Sequence, residues 1–260
     1  MTRPYLVKMN PSITVSVTLG DWQAQADLTK PIDIGITPDV AGNLNCFFAP
    51  ELAILPYKNE DFIGDTRLGS PVNFMNIHCN PHGNGTHTEC VGHISEERIH
   101  LSDCQHDFHF VSLLTSVIPE IQSNGDRTIT LSLLERLDIK KGTKGLIIRT
   151  LPNEENKKQR QYSGTNPPYF TKEVIYWIVS NNIEHLLVDV PSVDKEQDEG
   201  KLLSHKSFWQ FPHHIRKNAT ITELIYVPDN VPDGYYLVNL QYYPFPMDAS
   251  PSRPLLYSLS

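Results

Sequence analysis

The chain is 260 residues long, 39% hydrophobic and 20% charged, with a net charge of −8. That length gives one large domain or two small ones, with ample chain for a buried core. An acidic chain without a basic run argues against a nucleic-acid partner, and no apolar run approaches the length of a membrane span.

The opening residues, Met1 to Lys8, lack the apolar core of a signal peptide. Cys46, Cys79, Cys90 and Cys104 show no CxxC spacing and read as reduced, buried thiols of a cytoplasmic protein. Cys79 and Cys90 flank a histidine cluster, so a ligand or nucleophile role stands beside the structural one. Ile13, Val15, Val17 and Leu19 alternate with polar residues, as do Trp22, Ala24, Ala26 and Leu28. Gly20-Asp21 between them predicts an antiparallel hairpin. Residues 29–70 are irregular and punctuated by Phe47, Phe48, Tyr57 and Phe62. A long ordered loop of this kind serves as a pocket wall, a subunit contact or ordinary packing. Residues 72–79 read as a strand that carries His78 and delivers the chain into the next segment.

That segment, Pro81 to His93, holds His82, His87, Glu89 and His93 among Gly83, Gly85 and Gly92. Imidazole nitrogens and carboxylate oxygens are the usual ligands of zinc and manganese. The glycines allow a tight backbone path. His87 and Glu89, two residues apart, project to one side of an extended segment. The same density also fits a polar surface loop whose histidines bind nothing.

Further along, His100, His106 and His109 lack a carboxylate in phase and read as structural. Phe108–Val117 reads as a core strand. Leu131, Leu133, Leu134, Leu137 and Ile139 predict a short helix closed by Lys140-Lys141-Gly142. Gly145–Thr150 reads as a buried strand, and residues 152–168 as an exposed loop. Thr171 is placed to cap a helix through Val174, Ile175, Ile178 and Val179, ended by Asn181-Asn182. His185–Val190 then completes a βαβ unit with parallel strands. Asp189–Asp194 falls at the carboxyl end of that strand, where open α/β sheets place their sites.

His-x-x-Gly-Thr-His-x-Glu-x-x-x-His, from His82 to His93, resembles the signature of the metal-dependent cyclase family. That family includes bacterial-type kynurenine formamidases and isatin hydrolase, and its pattern is His-x-Gly-Thr-His-x-Asp-x-Pro-x-His. This chain departs from it in three ways. Glu89 replaces the Asp, Val91 stands at the Pro, and His82 lies one residue further upstream. Arg149-Thr150, Val188–Asp194, Leu203-Ser204-His205, Thr220–Ile225 around Glu223, Asp233–Leu237 and Asp248–Pro254 resemble later motifs of the family in order. The likeness runs from about Asp27 to Pro254. Trp209–Lys217, carrying His213 and His214, looks like an insertion.

The resemblance implies an α/β protein with the cyclase-like swivelling β/β/α fold. It would have a mixed central sheet, in a single domain over 1–260 whose N-terminal hairpin and pocket-shaping loop together lie at about 10–70. It implies His82, His87, Glu89, His205 and Glu223 as metal ligands, with Glu89 able to bridge two ions, and His93 as the catalytic general base or acid. The cofactor would be one or two ions of zinc or manganese. The implied activity is hydrolysis of a small non-peptide amide, a formamide or a cyclic amide. Lactone hydrolysis, and a metal-free binder of small molecules, are the alternatives. A small-molecule substrate and a homodimer complete the expectation, with no nucleic acid and no membrane.

Overall fold

The computed structural model describes residues 11–40, 42 and 44–260, so the opening from Met1 to Lys8, read above for a signal peptide, lies outside the described residues. Strands β1 (Thr14–Leu19) and β2 (Trp22–Asp27) form the expected hairpin, paired from Thr14 with Asp27 to Leu19 with Trp22. Gly20 at the turn takes φ 57°, a value that carries no steric cost only without a Cβ. Ala24 and Ala26 point inward and their polar neighbours outward, as a period of two requires.

Short strand β3 (Ile32–Asp33) follows, then a two-stranded arm of β4 (Ala53–Pro56) and β5 (Met75–His78). A helical turn α1 (Pro81–Asn84) leads into β6 (His87–Glu89). Core strand β7 (His109–Val117) is followed by small strands β8 (Glu120–Ile121) and β9 (Arg127–Ile129). Then come β10 (Gly145–Thr150), β11 (Tyr169–Phe170), helix α2 (Lys172–Ser180) and β12 (His185–Val188). Helix α3 (Leu203–Trp209) and strands β13 (Thr220–Glu223), β14 (Gly234–Tyr242) and β15 (Ala249–Ser258) complete the order.

The main sheet runs β14-β7-β10-β12-β13-β6-β15-β3, and β14 also pairs with β15. That extra pairing closes seven of the strands into a barrel-like core and removes the exposed edges that an open sheet would carry. Strands β7, β10, β12 and β13 are parallel to one another, while β6, β14 and β15 run antiparallel to their neighbours. The sheet is therefore mixed, as expected, and β10-α2-β12 is the predicted βαβ unit.

Alternation along the central strands fills two cores. Phe110, Leu114, Ile147 and Leu187 join Val238, Leu240 and Leu256 inside the barrel. Leu113, Leu146, Ile148, Leu186 and Val188 face outward onto Val174, Ile175 and Ile178 of α2 and Phe208 and Trp209 of α3. The insertion-like segment from Trp209 is thus partly core. Trp209 is fully buried and its indole N–H donates to the Ala219 carbonyl at 2.8 Å, while His213 and His214 are exposed.

Three local expectations need correction. Residues 131–139 form a 3-10 turn, Leu131–Leu133, followed by irregular turns, not a helix. Their leucines pack singly on the outer core, and the Tyr235 hydroxyl ties down the Lys140 N–H and the Asp138 carbonyl, so tertiary contacts override the helical period. The loop 152–168 is not simply exposed, because Asn153, Lys157 and Tyr162 are buried in it. The Lys157 ammonium donates to the Thr150 carbonyl and pairs with Asp189 at 2.9 Å, which is how a buried charge becomes tolerable. Cys46, Cys90 and Cys104 are buried free thiols, but Cys79 is exposed. No helix among the described residues is long and apolar enough to cross a membrane.

Candidate metal centre

Strand β6 lies between β13 and β15, with His87 opposite Glu223 on one side and Pro251 on the other. Its extended backbone turns His87 and Glu89 to the same face. The Thr86 hydroxyl anchors the strand's start, accepting from the Ile36 N–H at 2.8 Å and donating to the Leu224 carbonyl. Glu223 ends β13, and Leu224 at φ 56° turns the chain away immediately after it.

The flanking turns depend on close approaches that only glycine permits. A Cβ on Gly83 would lie 2.3 Å from the Ala49 Cβ, and one on Gly92 would lie 2.0 Å from the Ile99 carbonyl oxygen. The first packs the α1 turn, whose His82 N–H is capped by the Asn80 side chain at 3.0 Å. The second tightens the 3-10 turn Val91–His93. His205 comes from α3, far along the chain.

These elements bring all six expected residues together. His82 Nδ1 lies 3.2 Å from Glu89 Oε2, and His93 Nδ1 lies 3.7 Å from the same oxygen. His205 Nε2 lies 3.1 Å from Glu89 Oε1 and 4.0 Å from Glu223 Oε1. His87 Nε2 lies 3.4 Å from Glu223 Oε2. His87, Glu89, His205 and Glu223 are buried, whereas the side chains of His82 and His93 keep 23% and 30% of their exposure, so the site opens on that side.

The outer nitrogens explain the inward ones. His87 Nδ1–H donates to the Gly85 carbonyl at 3.0 Å. His205 Nδ1 bonds Asp194 Oδ2 at 2.7 Å, and His82 Nε2 bonds Asp248 Oδ2 at 2.9 Å. Each of these three imidazoles is thus held by one nitrogen and aims the other at Glu89 or Glu223. Outer acceptors of this kind fix the tautomer and orientation of metal-ligating histidines.

The inward atoms are unfinished as they stand. His87 Nε2 and Glu89 Oε2 are buried without a hydrogen-bond partner. Leaving such a group unpaired costs about 1–3 kcal/mol. Donor atoms of His82, Glu89 and His93 all lie within 4.8 Å of one another, as do those of His87, Glu89 and Glu223. Glu89 belongs to both groups. A sulfur-free set of imidazoles and carboxylates suits zinc or manganese, so the residues present fit such an ion.

The electrostatics point the same way. Burial disfavours charge on His82, yet its hydrogen bond to Asp248 and the nearby Glu89 carboxylate push its pKa up to about 10. Burial also opposes charge on His205, but Asp194, Glu89 and Glu223 raise it to about 10. Burial would raise the Glu89 carboxyl, and the surrounding imidazoles His93, His205 and His82 hold it well below its usual range. The pocket stabilises positive charge between its two carboxylates.

Against known sequences, the Cyclase family model matches residues 24–195, more than half of the chain. The chain belongs to the Cyclase family. No curated protein sequence matches it. Several solved structures of this fold superpose over most of both chains. A potential metal-dependent hydrolase with cyclase activity does so at TM-score 0.63 and 16% identity, covering 88% of this chain and 97% of its own. An isatin hydrolase bound to the product analogue thioisatinate gives 0.63 at 15% identity, with 89% and 93% covered. Isatin hydrolase A from Labrenzia aggregata, bound to benzyl benzoate, gives 0.62 at 16% identity, with 88% and 93% covered. Identities this low speak for the fold alone.

Two carboxylates that hold the cluster together were not singled out from the sequence. Asp194 stood within a recognised motif but without a role, and here it accepts from the Ser204 N–H, the His205 N–H and the His205 ring. Asp248 lies 166 positions from His82, and only the pairing of β15 with β6 brings it near. The remaining histidines stay out of the cluster. His78 sits on exposed β5, and His109 Nε2 bonds the Asn239 amide at 2.8 Å.

Proposed function

We propose that this Cyclase family member is a metal-dependent hydrolase of a small non-peptide amide, a formamide or a cyclic amide. In this reading His82, His87, Glu89, His205 and Glu223 hold zinc or manganese. The observation that supports it is the set of three imidazoles tied outward and aimed inward at two buried carboxylates, with His87 Nε2 and Glu89 Oε2 left unpartnered. Solved structures of the same fold that are described as metal-dependent hydrolases and isatin hydrolases lend support.

When bound, the ion supplies an acidified water near neutral pH and polarises the substrate carbonyl. The chain's residues do the rest. Glu89 presents one oxygen toward His82 and His93 and the other toward His205, so it can serve one ion or be shared by two. Gly85, Asp194 and Asp248 keep three imidazoles from rotating. His93 stands at the open side, where a leaving nitrogen arrives, and it moves the proton to that nitrogen. Burial of Glu89, His87 and Glu223 keeps bulk water from screening these charges.

We propose a second copy of the chain as its partner. On the β4–β5 arm Ile54 and Ile77 are exposed and lie directly opposite each other, and exposed apolar pairs on such an arm are what a contact between copies would cover.

Elemental analysis of the purified protein, with assays of N-formyl arylamines and cyclic amides with and without added zinc or manganese, tests the reading. Bound metal and metal-stimulated C–N cleavage are expected. A protein that takes up neither metal and gains no activity from either favours the metal-free binder instead.

A further inference from the structure

Asp248 stands at the entrance to β15, between the two histidines of the open side. Its Oδ2 lies 2.9 Å from His82 Nε2 and 3.5 Å from His93 Nδ1. The rings of His82 and His93 are 4.4 Å apart and tilted by 35°, so one carboxylate oxygen serves both.

The backbone builds this placement in. The Asp248 carbonyl accepts from the Cys90 N–H at 3.0 Å, and the Met247 carbonyl accepts from the Leu101 N–H at 2.8 Å. Ala249, the next residue, pairs with Glu89. Gly92 makes room, because a Cβ there would sit 3.1 Å from the Asp248 Cβ. The side chain is consequently held against the cluster from three directions while 29% of it remains exposed.

The tautomers follow from the contacts. With its Nε2–H donated to Asp248, His82 keeps Nδ1 as the nitrogen that would face an ion held with Glu89. The same oxygen draws the Nδ1 side of the His93 ring and leaves Nε2 as that ring's unengaged nitrogen. We propose that Asp248 is the positioning residue of this site: it selects which nitrogen of His82 faces the metal and which nitrogen of His93 meets substrate. This rests on the hydrolase reading, since without an ion or a substrate the choice of nitrogen has no consequence.

Zinc alone is the probe. The zinc affinity of the native chain, Asp248→Asn and Asp248→Glu is measured by chelator competition, with histidine ¹⁵N NMR on the zinc-loaded proteins. Loss of an outer-shell carboxylate typically weakens a metal site ten- to a hundredfold, so that is the loss expected for Asp248→Asn. The His82 Nε2–H signal should disappear with it, and Asp248→Glu should recover part of the affinity. Zinc affinity within twofold of native in Asp248→Asn overturns the proposal and leaves the metal site standing. A lowered melting temperature of the zinc-free variant with unchanged zinc affinity also overturns it, because Asp248 is then only a structural tie. A native chain that takes up no zinc fails earlier, at the hydrolase reading itself, and this inference falls with it.

Discussion

His185 gives a stability prediction that can be worked from the structure. It opens β12, is 1% exposed, and stacks on Phe110 with ring centroids 4.0 Å apart. Its Nδ1 shares a hydrogen bond with the Thr220 hydroxyl at 2.9 Å, and its buried Nε2 has no partner. Burial first, then the Lys144 ammonium and Arg216 against an opposing Asp107, push its pKa from 6.5 down to about 4. The unfolded chain therefore binds this proton below about pH 6.5 while the folded chain refuses it until about pH 4. Stability from this residue rises with pH between those values and is lost as pH falls through them. At pH 5 the penalty is about 2 kcal/mol, and at pH 7.5 it is near zero, taking about 1.4 kcal/mol per pH unit. His185→Gln removes the titrating group. Between pH 7.5 and 5 the variant should gain about 2 kcal/mol on the native chain, or about 4 °C in relative Tm for a chain of this size. Comparing the two proteins cancels the titration of the metal cluster. Parallel Tm-against-pH curves for the two proteins, measured by calorimetry, would refute the reasoning.

Two further outcomes follow from the site and the surface. His87→Ala should abolish zinc retention, since it removes a fully buried inward nitrogen, while His93→Ala should keep zinc and lose turnover by about 10²- to 10⁴-fold, the usual worth of a general acid or base. Elemental analysis beside rate measurement separates them, and zinc retained by His87→Ala rejects that ligand assignment. Replacing Ile54 and Ile77 on the β4–β5 arm with lysine should shift the protein from dimer to monomer in sedimentation velocity without lowering its Tm, and an unchanged sedimentation coefficient rejects the arm as the contact.

What the sequence disclosed, and what it hid, divides along physical lines. The hairpin at Gly20-Asp21 and the β10-α2-β12 unit were legible because period and turn chemistry are local. His82, His87, Glu89 and His93 were legible because these candidate site residues are packed into one segment. His205 and Glu223 were reachable only through the resemblance, since nothing local distinguishes a cluster histidine on α3 from His109 bonded to Asn239. Asp248 fell within a recognised motif, but its role was hidden for a different reason. Nothing ties that aspartate to His82 until β15 is known to lie beside β6. The buried Lys157 was hidden for the same reason, because its partner Asp189 comes from just past the end of β12. The leucines of 131–139 misled because spacing that fits a helix also fits side chains packed one by one onto a core.

The departures at His82 and Glu89 bear most directly on whether this site binds metal as its relatives' pattern would suggest. Taken singly, each should weaken the centre: a glutamate reaches one methylene too far, and an extra residue displaces the first histidine. Together they keep contact. The α1 turn carries His82 to 3.2 Å from Glu89 Oε2, while the other oxygen reaches His205 at 3.1 Å. The longer side chain spans what the longer turn opens. Glu89→Asp, which restores the residue of the family pattern, should then harm this chain. Withdrawing the carboxylate by one carbon–carbon bond, about 1.5 Å, takes both oxygens out of hydrogen-bond range of His82 and His205. Zinc affinity should fall at least about tenfold, on the scale of lost support at a metal site. Deleting Gly83 or Asn84 alongside should recover part of it. Equal or tighter zinc binding by Glu89→Asp alone, measured by chelator competition, would show that the two changes are independent and that the backbone at β6 accommodates either carboxylate.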